Sequence, residues 1–310
     1  MKYIKIFAPA TVANVSCGFD SMGFAVDTMG DEMTFTKTST KGVKITQITG
    51  AKGLSLDPTK NAAGVVALAM LTKHNIDFGI EITMHKGFSP GSGLGSSAAS
   101  SAGAAFGINE LLNKPFTNLE LTKFSMLGEK AACGTPIADN VAAAVYGGFV
   151  LIRSYEPLDI IKLPVPDELQ LVAIHPQIEV KTKDAREVLP EKVPLKSAVT
   201  QWANVGGLVS GLYTNNYQLI SNSLTDVIVE PARKHLIPHF DLVKSEAIKA
   251  GALGAGISGS GPTIFALCKG EETSKNVQNA IQNSYADKKI DFTLFSSKIN
   301  TQGVRILESK

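Results

Sequence analysis

Residues 86–101 read Lys-Gly-Phe-Ser-Pro-Gly-Ser-Gly-Leu-Gly-Ser-Ser-Ala-Ala-Ser-Ser, and this stretch decides how the chain is interpreted. It follows an alternating pattern typical of a strand, with apolar Ile80, Ile82 and Met84, and it continues into a helix of small residues that ends near Leu112. Glycines allow positive φ angles and a close ligand, and free N–H groups at a helix N-terminus attract anions. The stretch therefore predicts a phosphate cradle between a strand and a helix.

Two familiar phosphate-binding loops do not fit this stretch. A Walker A loop has Lys directly after its last glycine, whereas Ser96 and Ser97 follow Gly95 here. A Rossmann turn has the spacing Gly-x-Gly-x-x-Gly, which Gly91, Gly93 and Gly95 do not show. A flexible Gly/Ser linker is the structural alternative. It is disfavoured because apolar periodic segments flank the loop closely on both sides.

Composition indicates a cytoplasmic globular enzyme. The chain has 310 residues, 44% of them hydrophobic and 19% charged, which suits one large domain or two of ordinary size. A net charge of +2 argues against a nucleic-acid partner. The three cysteines have neither metal nor disulfide spacing, which fits a reducing compartment. The N-terminus lacks the apolar core of a signal peptide, and the long uncharged stretches are too rich in Gly and Ser to span a membrane.

Hydrophobic periodicity divides the chain into two mixed blocks of strands and helices. In the N-terminal block we expect strands at 2–8, 24–48, 79–86 and 149–153, and helices at 61–74, 97–112, 117–132 and 139–147. In the C-terminal block we expect strands at 169–175, 252–257, 263–268 and 290–297, and helices at 182–189, 195–213, 216–224, 238–250 and 271–284. A proline-rich stretch separates the blocks, so the sequence predicts a two-domain α+β protein with domains 1–155 and 156–310.

Two further segments extend this interpretation. A second Gly/Ser loop, residues 254–263, lies between two strand patterns, where a tight hairpin would also explain its glycines. Two such loops from different halves could close on one phosphate chain from opposite sides. A third segment follows the first strand and reads Ala8-Pro-Ala-Thr-Val-Ala-Asn-Val-Ser-Cys-Gly-Phe-Asp-Ser-Met-Gly23.

Together the three segments resemble the signature motifs of the GHMP small-molecule kinases, and the first motif is similar to that of the homoserine kinases. This resemblance implies an N-terminal domain like ribosomal protein S5 domain 2 and a ferredoxin-like C-terminal domain. It also implies transfer of the γ-phosphate of ATP to the side-chain hydroxyl of L-homoserine, giving O-phospho-L-homoserine for threonine biosynthesis. The expected ligands are ATP, Mg²⁺ and L-homoserine, and a homodimer is one assembly that the sequence leaves open.

The resemblance also assigns nucleotide and metal contacts. It places ATP against Asn61, Lys86, Pro90, Gly91, Ser92, Gly93, Leu94, Gly95, Ser96, Ser97, Ala98, Ala99, Ser100, Gly259, Ser260 and Gly261. Ser97 and Glu129 are the expected Mg²⁺ contacts, and a hydroxyl with a carboxylate is hard-oxygen ligation. The plainer alternatives are a solvated helix carboxylate at Glu129, an N-cap at Asn61 and a solvated strand end at Lys86.

Substrate contacts are implied at Asn14, Asp20, Asn140, Thr182, Arg186 and Arg233, with Asp139 as the catalytic residue near the acceptor hydroxyl. Asp20 would face the ammonium group, and the two arginines would hold the carboxylate, for which the guanidinium fork is suited. The chain has only four arginines among many lysines, so two at these positions are informative. Alternatives from the residues alone are a turn-forming Asn/Asp pair and surface ion pairs.

One position departs from the family pattern. Homoserine kinases usually carry His two residues before the Asp matching Asp139, and Ile137 stands there in this chain. Ile cannot hydrogen-bond an amino acid, so neighbouring groups compensate or the acceptor differs. Two other functions therefore stay open: a GHMP kinase for a threonine-like or mevalonate-like compound, and a non-catalytic nucleotide-binding regulator on the same fold. The presence of Ser97, Glu129 and Asp139 together argues against the regulator, because a regulator does not need metal-binding and acceptor-binding residues.

Overall fold

The computed structural model describes all 310 residues. Its strands are β1 (Tyr3–Ala13), β2 (Met22–Thr38), β3 (Gly42–Thr49), β4 (Gly79–His85), β5 (Phe149–Tyr155), β6 (Leu158–Leu163), β7 (Leu169–Pro176), β8 (Gly254–Ile257), β9 (Ile264–Lys269), β10 (Phe292–Lys298) and β11 (Arg305–Ser309). Its helices are α1 (Ala62–Lys73), α2 (Ser96–Leu111), α3 (Asn118–Cys133), α4 (Asp139–Tyr146), α5 (Thr182–Glu187), α6 (Leu195–Thr214), α7 (Tyr217–Ser223), α8 (Val229–Arg233), α9 (Phe240–Lys249) and α10 (Gly270–Tyr285). The expected α+β class is confirmed.

The first sheet has seven strands. Its order is β11-β1-β2-β4-β3, with β5 paired to β2 and β6 paired to β5. Only β3 and β4 are parallel, and α1 connects them as a βαβ unit. The register between β1 and β2 shifts between Pro9 and Thr11, and there the Thr11 N–H donates to the Leu94 carbonyl instead, at 2.9 Å. This irregularity joins the sheet to the first glycine loop.

Helix α2 lies at the centre of the first domain, in contact with strands β1 and β2 and with helices α1, α3 and α4. Fourteen of its sixteen residues are buried, and most of them are Ala, Ser or Gly. Small residues let neighbouring backbones come close, as at Gly103, where a Cβ atom would lie 2.5 Å from the Met33 sulfur. The helix is therefore held firmly, and its N-terminus is fixed at one end of the sheet.

The second sheet is antiparallel with the order β10-β7-β9-β8. Helices α9 and α10 cover one face, where Val172, Val277 and Tyr285 belong to one buried cluster. The other face joins the main core of the first domain, and Phe265 of β9 lies edge-on to Phe24 of β2 with ring centroids 6.2 Å apart. A continuous apolar core therefore fixes the two sheets relative to each other.

Two strands were not expected from the sequence. Strand β6 follows a tight turn at Pro157, and proline-rich flanks obscured its short pattern. Strand β11 returns from the C-terminal half to pair with β1, where Ile4 faces Ser309. The first sheet thus contains strands from both sides of residue 155, and the division into domains 1–155 and 156–310 stays a prediction. No helix is both long enough and apolar enough to cross a membrane.

The approach of α4 to β2 gives a test of this packing. A Cβ atom on Gly23 would lie 2.6 Å from the Asp139 carbonyl oxygen, which is backbone and cannot rotate away. Gly23→Ala is therefore expected to lower the free energy of unfolding by about 1–3 kcal/mol through overpacking. Urea unfolding measures this, with Thr34→Ala on the same strand as a control expected to cost less than about 1 kcal/mol. Equal stabilities of the two variants would contradict the close packing.

Candidate active site

The first glycine loop connects β4 to α2 in a backbone conformation that requires glycine. Gly91, Gly93 and Gly95 have φ angles of 75°, 79° and 70°, which side chains rarely adopt. A Cβ atom on Gly93 would also lie 2.6 Å from the Ser258 carbonyl oxygen and 2.7 Å from that of Gly261. The second loop therefore occupies the space that a side chain on Gly93 would need.

The second glycine loop is both a hairpin and a partner of the first loop. It connects antiparallel β8 and β9, as the hairpin interpretation expected. Its Ser258 hydroxyl donates to the Gly93 carbonyl at 2.7 Å, and its Thr263 hydroxyl donates to the Ser92 carbonyl at 2.6 Å. The structure thus brings the two loops together from opposite halves of the chain.

The loop of the first motif, between β1 and β2, completes the junction. The Asn14 side-chain amide donates to the Gly259 carbonyl at 2.7 Å and its oxygen accepts from the Asp20 N–H at 3.1 Å. The turn-forming pair expected as an alternative is thus present. Asn14, Val15 and Ser16 all have positive φ, and a β-branched residue at φ 42° is strained. Such strain persists only where surrounding contacts enforce it, and it concentrates at functional sites.

A cleft of about 780 Å³ opens where these three loops meet. Most of the expected site residues line it: Asn14, Asp20, Asn61, Lys86, Pro90, Gly91, Gly93, Gly95, Ser96, Ser97, Ser100, Glu129, Asp139, Asn140, Thr182, Arg186, Arg233, Gly259 and Ser260. Five other expected contacts lie behind its wall: Ser92, Leu94, Ala98, Ala99 and Gly261. Their roles in ligand binding stay predictions.

Lys86 is not a solvated strand end but a buried cation beneath the start of α2. Its ammonium contacts the Asp31 carboxylate and donates to the Ser96 carbonyl and the Ser100 hydroxyl, both at 2.8 Å. The Gly87 N–H and the Ser100 hydroxyl also donate to Asp31. Burial raises the pKa of Asp31 and lowers that of Lys86, and each charge opposes the shift of the other. The pair therefore ties strand β2, the loop and helix α2 into one unit.

Glu129 of α3 is buried, so it is not the solvated helix carboxylate considered as its alternative. Its Oε1 atom has no hydrogen-bond partner, although it is shielded from water. Burial raises the pKa of Glu129 to about 7, while the nearby Ser97 hydroxyl and the charge of Lys86 lower it. A buried carboxylate oxygen without a partner, beside a hydroxyl, is a donor set that suits a hard cation such as Mg²⁺. No group of three or more His, Cys, Asp or Glu side chains forms a separate metal site.

Asp139 is the first residue of α4 and is also buried. Burial is the main cause that raises its pKa to about 7, and the charges of Asp20 and Glu129 add to the effect, whereas Arg186 and the Asn140 N–H oppose it. That N–H donates to Asp139 Oδ1 at 2.7 Å. The Asn140 side-chain oxygen in turn accepts from the Thr11 hydroxyl at 2.7 Å. Asp139 is therefore a fixed carboxyl group that can carry a proton near neutral pH.

Arg186 and Asp20 form an ion pair across the cleft. The guanidinium NH2 group lies 2.9 and 3.0 Å from the two carboxylate oxygens, and both side chains stay about one-third exposed. Arg233 is buried, with Nε donating to the Ala185 carbonyl at 2.7 Å, and burial lowers its pKa to about 10. The Phe19 ring lies beneath both guanidinium groups, 5.7 Å from that of Arg186 and 4.9 Å from that of Arg233.

Two more expected residues, Asn61 and Thr182, also line the cleft, and so does Ile137, the position that departs from the family pattern. Asn61 is an N-cap, as its alternative foresaw, because its side chain accepts from the Ala63 and Gly64 N–H groups while lining the cleft. Thr182 begins α5 at the cleft edge. Ile137 also lines the cleft, directly before α4, so the departure from the family pattern is located beside Asp139.

Sequence reasoning missed Asp31, Phe19 and Tyr155. The Tyr155 hydroxyl donates to the Asp20 carbonyl at 3.0 Å and accepts from the Ala138 N–H at 3.3 Å, so it links the first-motif loop to the start of α4. Phe19 was detectable because it stands inside the quoted motif. Asp31 was detectable only as an acidic residue at an inward position of a strand, since its partner lies 55 residues away.

The cleft thus combines three kinds of chemistry in one space. Glycine-loop N–H groups and the N-terminus of α2 can hold a polyphosphate. Glu129 and Ser97 can hold a divalent cation that the phosphate would share. Asp20, Arg186 and Arg233 offer one negative and two positive charges, which match a zwitterion. Asp139 completes the cleft as a carboxyl group placed to handle a hydroxyl proton.

Comparisons with known proteins agree with this chemistry. The family models of the GHMP kinases N terminal domain and the GHMP kinases C terminal match residues 61–148 and 208–287. The chain is 45% identical to the homoserine kinase of Chlorobium phaeobacteroides strain BS1, covering 99% of this chain and 100% of that protein. It is 44% identical to the homoserine kinase of Chlorobaculum tepidum, covering 100% and 99%. The crystal structure of homoserine kinase from Cytophaga hutchinsonii superposes with a TM-score of 0.96 at 51% identity, covering 99% and 98%.

The buried Lys86–Asp31 pair generates a stability prediction. Asp31→Asn leaves the ammonium without its carboxylate in a buried place, and the free energy of unfolding should fall by about 3–5 kcal/mol. Adding Lys86→Met removes the unpaired charge, so the double variant should recover at least about 1 kcal/mol of that loss. Urea unfolding of the wild type, the Asp31→Asn variant and the double variant measures both effects.

Glu32, the residue after Asp31, supplies the matched control. Glu32 lies on β2 and pairs with Lys5 of β1, with side chains 45% and 35% exposed. Glu32→Gln should therefore cost less than about 1 kcal/mol. If Asp31→Asn costs no more than Glu32→Gln, the buried pair does not hold the loop as described.

Proposed function

The chain belongs to the homoserine kinases of the GHMP kinase family, as its three motifs predicted, and we propose that it transfers the γ-phosphate of ATP to the side-chain hydroxyl of L-homoserine. The product is O-phospho-L-homoserine, which serves threonine biosynthesis. One observation carries this proposal: a single cleft joins the glycine-loop phosphate cradle to the charged set of Asp20, Arg186 and Arg233, with Asp139 also in its wall.

ATP is held by positioning rather than by a lysine on its phosphates. The glycine loops present N–H groups, and the N-terminus of α2 adds the positive end of its dipole. Lys86 supports the loop from below, because its three donors contact Asp31, Ser96 and Ser100. Asn61, which also lines the cleft, is the proposed adenine contact, and its capping role fixes its orientation there.

Mg²⁺ fits the buried oxygens beside the loop, and Ser97 and Glu129 are the residues that would hold it. A bound Mg²⁺ would supply electrostatic stabilisation of the charge that develops on the phosphates during transfer. The partnerless Glu129 Oε1 supports this assignment, because a buried carboxylate oxygen without a donor is costly unless a ligand satisfies it. Glu129 must lose its proton to bind a cation, and its raised pKa makes that step dependent on pH.

Recognition of L-homoserine uses an exchange of ion pairs. Without substrate, Asp20 and Arg186 neutralise each other. The substrate ammonium can replace the guanidinium at Asp20, and its carboxylate can replace Asp20 at Arg186 with help from Arg233. The number of charge pairs is conserved, so binding need not leave any of these charges unpaired. Asn140 and Thr182 line the same cleft, and Asn14 sets the position of Asp20 through the bond to its N–H.

Asp139 orients the acceptor hydroxyl. In the transfer step the hydroxyl oxygen forms a bond to the γ-phosphorus, the bond from that phosphorus to the ADP oxygen breaks, and the hydroxyl proton leaves. A carboxylate hydrogen-bonded to the hydroxyl can align its lone pair and accept the proton late in the step. Phosphoryl transfer depends mostly on such positioning and on charge stabilisation.

The identity of the acceptor needs a direct test, because Ile137 departs from the family pattern beside Asp139. The apolar side chain of Ile137 stands where the family usually has His, so a threonine-like hydroxyl compound is the second candidate acceptor. ADP release should be measured with homoserine, threonine, mevalonate and galactose. Homoserine is expected to give the largest kcat/KM, and a larger value with threonine would transfer the assignment to that acceptor. ATP binding without acceptor-dependent ADP release would indicate the regulator instead.

The proposal also covers the compartment and the oligomeric state of the enzyme. We place it in the cytoplasm, where ATP and amino-acid precursors are available and free cysteines stay reduced. We also propose that it works as a homodimer, and the exposed apolar side chains of Leu195, Trp202 and Tyr213 on helix α6 support this.

The role of Asp139 predicts a large kinetic effect without a folding defect. Asp139→Asn keeps the size of the side chain but removes the carboxylate that orients the hydroxyl, so kcat should fall about ten-fold or more. Steady-state ADP release gives kcat, and circular dichroism checks the fold. Asp159→Asn, an exposed carboxylate, serves as the control and should keep wild-type kcat. Wild-type turnover by the Asp139 variant would rule out this role.

The raised pKa of Asp139 predicts how stability depends on pH. A carboxyl whose pKa rises from 3.8 in the unfolded chain to about 7 in the fold stabilises the fold when protonated. That contribution is complete below pH 3.8 and is lost as pH rises through 7. Urea unfolding of the ligand-free protein between pH 5 and pH 8 should therefore show Asp139→Asn gaining stability relative to the wild type as pH rises. A difference that does not vary with pH would show that Asp139 is not neutral in the fold.

A further inference from the structure

Helix α8, which carries Arg233, is short and is held at its start by one buried carboxylate. The helix has five residues, too few to be stable from its own hydrogen bonds. The buried Asp226 side chain accepts from the Ile228 and Val229 N–H groups through Oδ1, both at 2.9 Å. Its Oδ2 atom accepts from the Glu230 N–H, also at 2.9 Å. Asp226 therefore sets where α8 begins and how it is oriented.

Gln201 on α6 connects this carboxylate to the loop of the first motif. Its Nε2 group donates to Asp226 Oδ1 and to the Cys17 carbonyl, both at 3.0 Å. Its Oε1 atom accepts from the Val227 N–H at 3.0 Å. Both hydrogens and the oxygen of the amide are thus engaged, so its orientation is fixed. Gln201 therefore sets the distance between the start of α8 and the first-motif loop, which carries Asp20.

Arg233 lies at the other end of α8, in the wall of the cleft. Its Nε donates to the Ala185 carbonyl at 2.7 Å, and its NH1 group donates to the Gly259 carbonyl at 3.2 Å. Burial lowers the pKa of Arg233 to about 10, and the charges of Asp20 and Asp226 oppose that shift. Two carbonyl groups and the short helix therefore hold the guanidinium in place.

We propose that Asp226 and Gln201 are positioning residues of the acceptor site. By fixing α8 against the first-motif loop, they set the separation of Arg233 from Asp20 and thus the fit of the amino-acid zwitterion. Neither residue lines the cleft, so both act through Arg233 rather than by touching the acceptor. Neither belongs to the three motifs. The inference rests on the proposed function, because it takes homoserine as the acceptor.

The contacts that hold the phosphate cradle are separate from this network. The Ser258 and Thr263 hydroxyls fasten the two glycine loops together. The hydrogen bonds of Asp226 and Gln201 go instead to the start of α8, to Cys17 and to each other. Loosening α8 should therefore weaken recognition of the acceptor while ATP binding is kept.

The inference predicts a selective loss of homoserine recognition. Asp226→Asn keeps the size of the side chain but replaces one acceptor oxygen by a donor, and Gln201→Met keeps the length but removes the hydrogen bonds. Each should raise KM for homoserine about ten-fold, within what a misplacement of about 1 Å costs, while KM for ATP changes less than about two-fold. Steady-state ADP release measures both constants, and circular dichroism checks the fold. Asp287→Asn and Gln218→Met change exposed side chains of the same types and should keep wild-type values.

A double-mutant cycle separates positioning from general support of the fold. Asp226→Asn should lower kcat/KM for homoserine about ten-fold in the wild type but less than about two-fold in an Arg233→Met background, where the guanidinium is already absent. A merely structural role would lower kcat/KM by the same factor in both backgrounds and would overturn the inference. Gln201→Met in the same two backgrounds gives an independent measurement if Asp226→Asn does not fold.

The outcomes also separate this inference from the proposed function. A wild type without homoserine-dependent ADP release would overturn both. Wild-type release together with an unchanged KM for homoserine in the Asp226 and Gln201 variants would overturn the positioning role alone. An equal rise of KM for homoserine and for ATP would do the same, because the network would then support the whole cleft rather than the acceptor site.

Discussion

The contact between the two glycine loops is the constraint on which the rest of the site depends. Gly93 can approach the Ser258 and Gly261 carbonyls only because it has no side chain, and the Ser258 and Thr263 hydroxyls then fasten the loops together. The loops come from different halves of the chain, so their contact joins the two sheets at the cleft. Thr11 and Asn14 extend the same junction to the first motif through bonds to Leu94 and Gly259. The distances between ATP contacts and substrate contacts are therefore set by this one packing arrangement.

Three carboxyl groups in or beside the cleft are buried, and their contacts with neighbouring groups differ. Asp31 is ion-paired inside the protein, since Lys86, Ser100 and the Gly87 N–H all contact it, although burial still raises its pKa. Glu129 and Asp139 form no ion pair, and burial raises the pKa of each to about 7. A carboxyl left short of partners inside a protein costs stability unless a ligand completes its contacts. Asp31 thus supports the loop, whereas Glu129 and Asp139 are the carboxyl groups that the proposed function assigns to a cation and a hydroxyl.

The sequence predicted the parts of this structure that rest on local rules. The glycine loops and the helix after the first of them, predicted at 97–112 and found at Ser96–Leu111, follow from backbone sterics and hydrogen bonding within a few residues. The site residues were predicted by likeness to a family, and the structure brings most of them to one cleft. Contacts between distant residues could not be predicted. The pairing of Lys86 with Asp31, the bridge made by Tyr155 and the return of β11 to the first sheet each depend on which strands become neighbours.

This difference between local rules and contacts among distant residues explains why the acceptor is the hardest property to predict from the sequence. Phosphate recognition needs N–H groups at a helix start, and one short motif supplies them. The proposed recognition of an amino acid instead uses Asp20 from the first half of the chain and Arg186 and Arg233 from the second, held above Phe19. Their geometry exists only after the two glycine loops have met. In this proposal the ion pair between Asp20 and Arg186 keeps both charges in place until a zwitterion of matching length separates them. A ligand with only one of the two charges would leave either the acid or the base unpaired, and this favours amino acids over neutral or purely anionic alcohols.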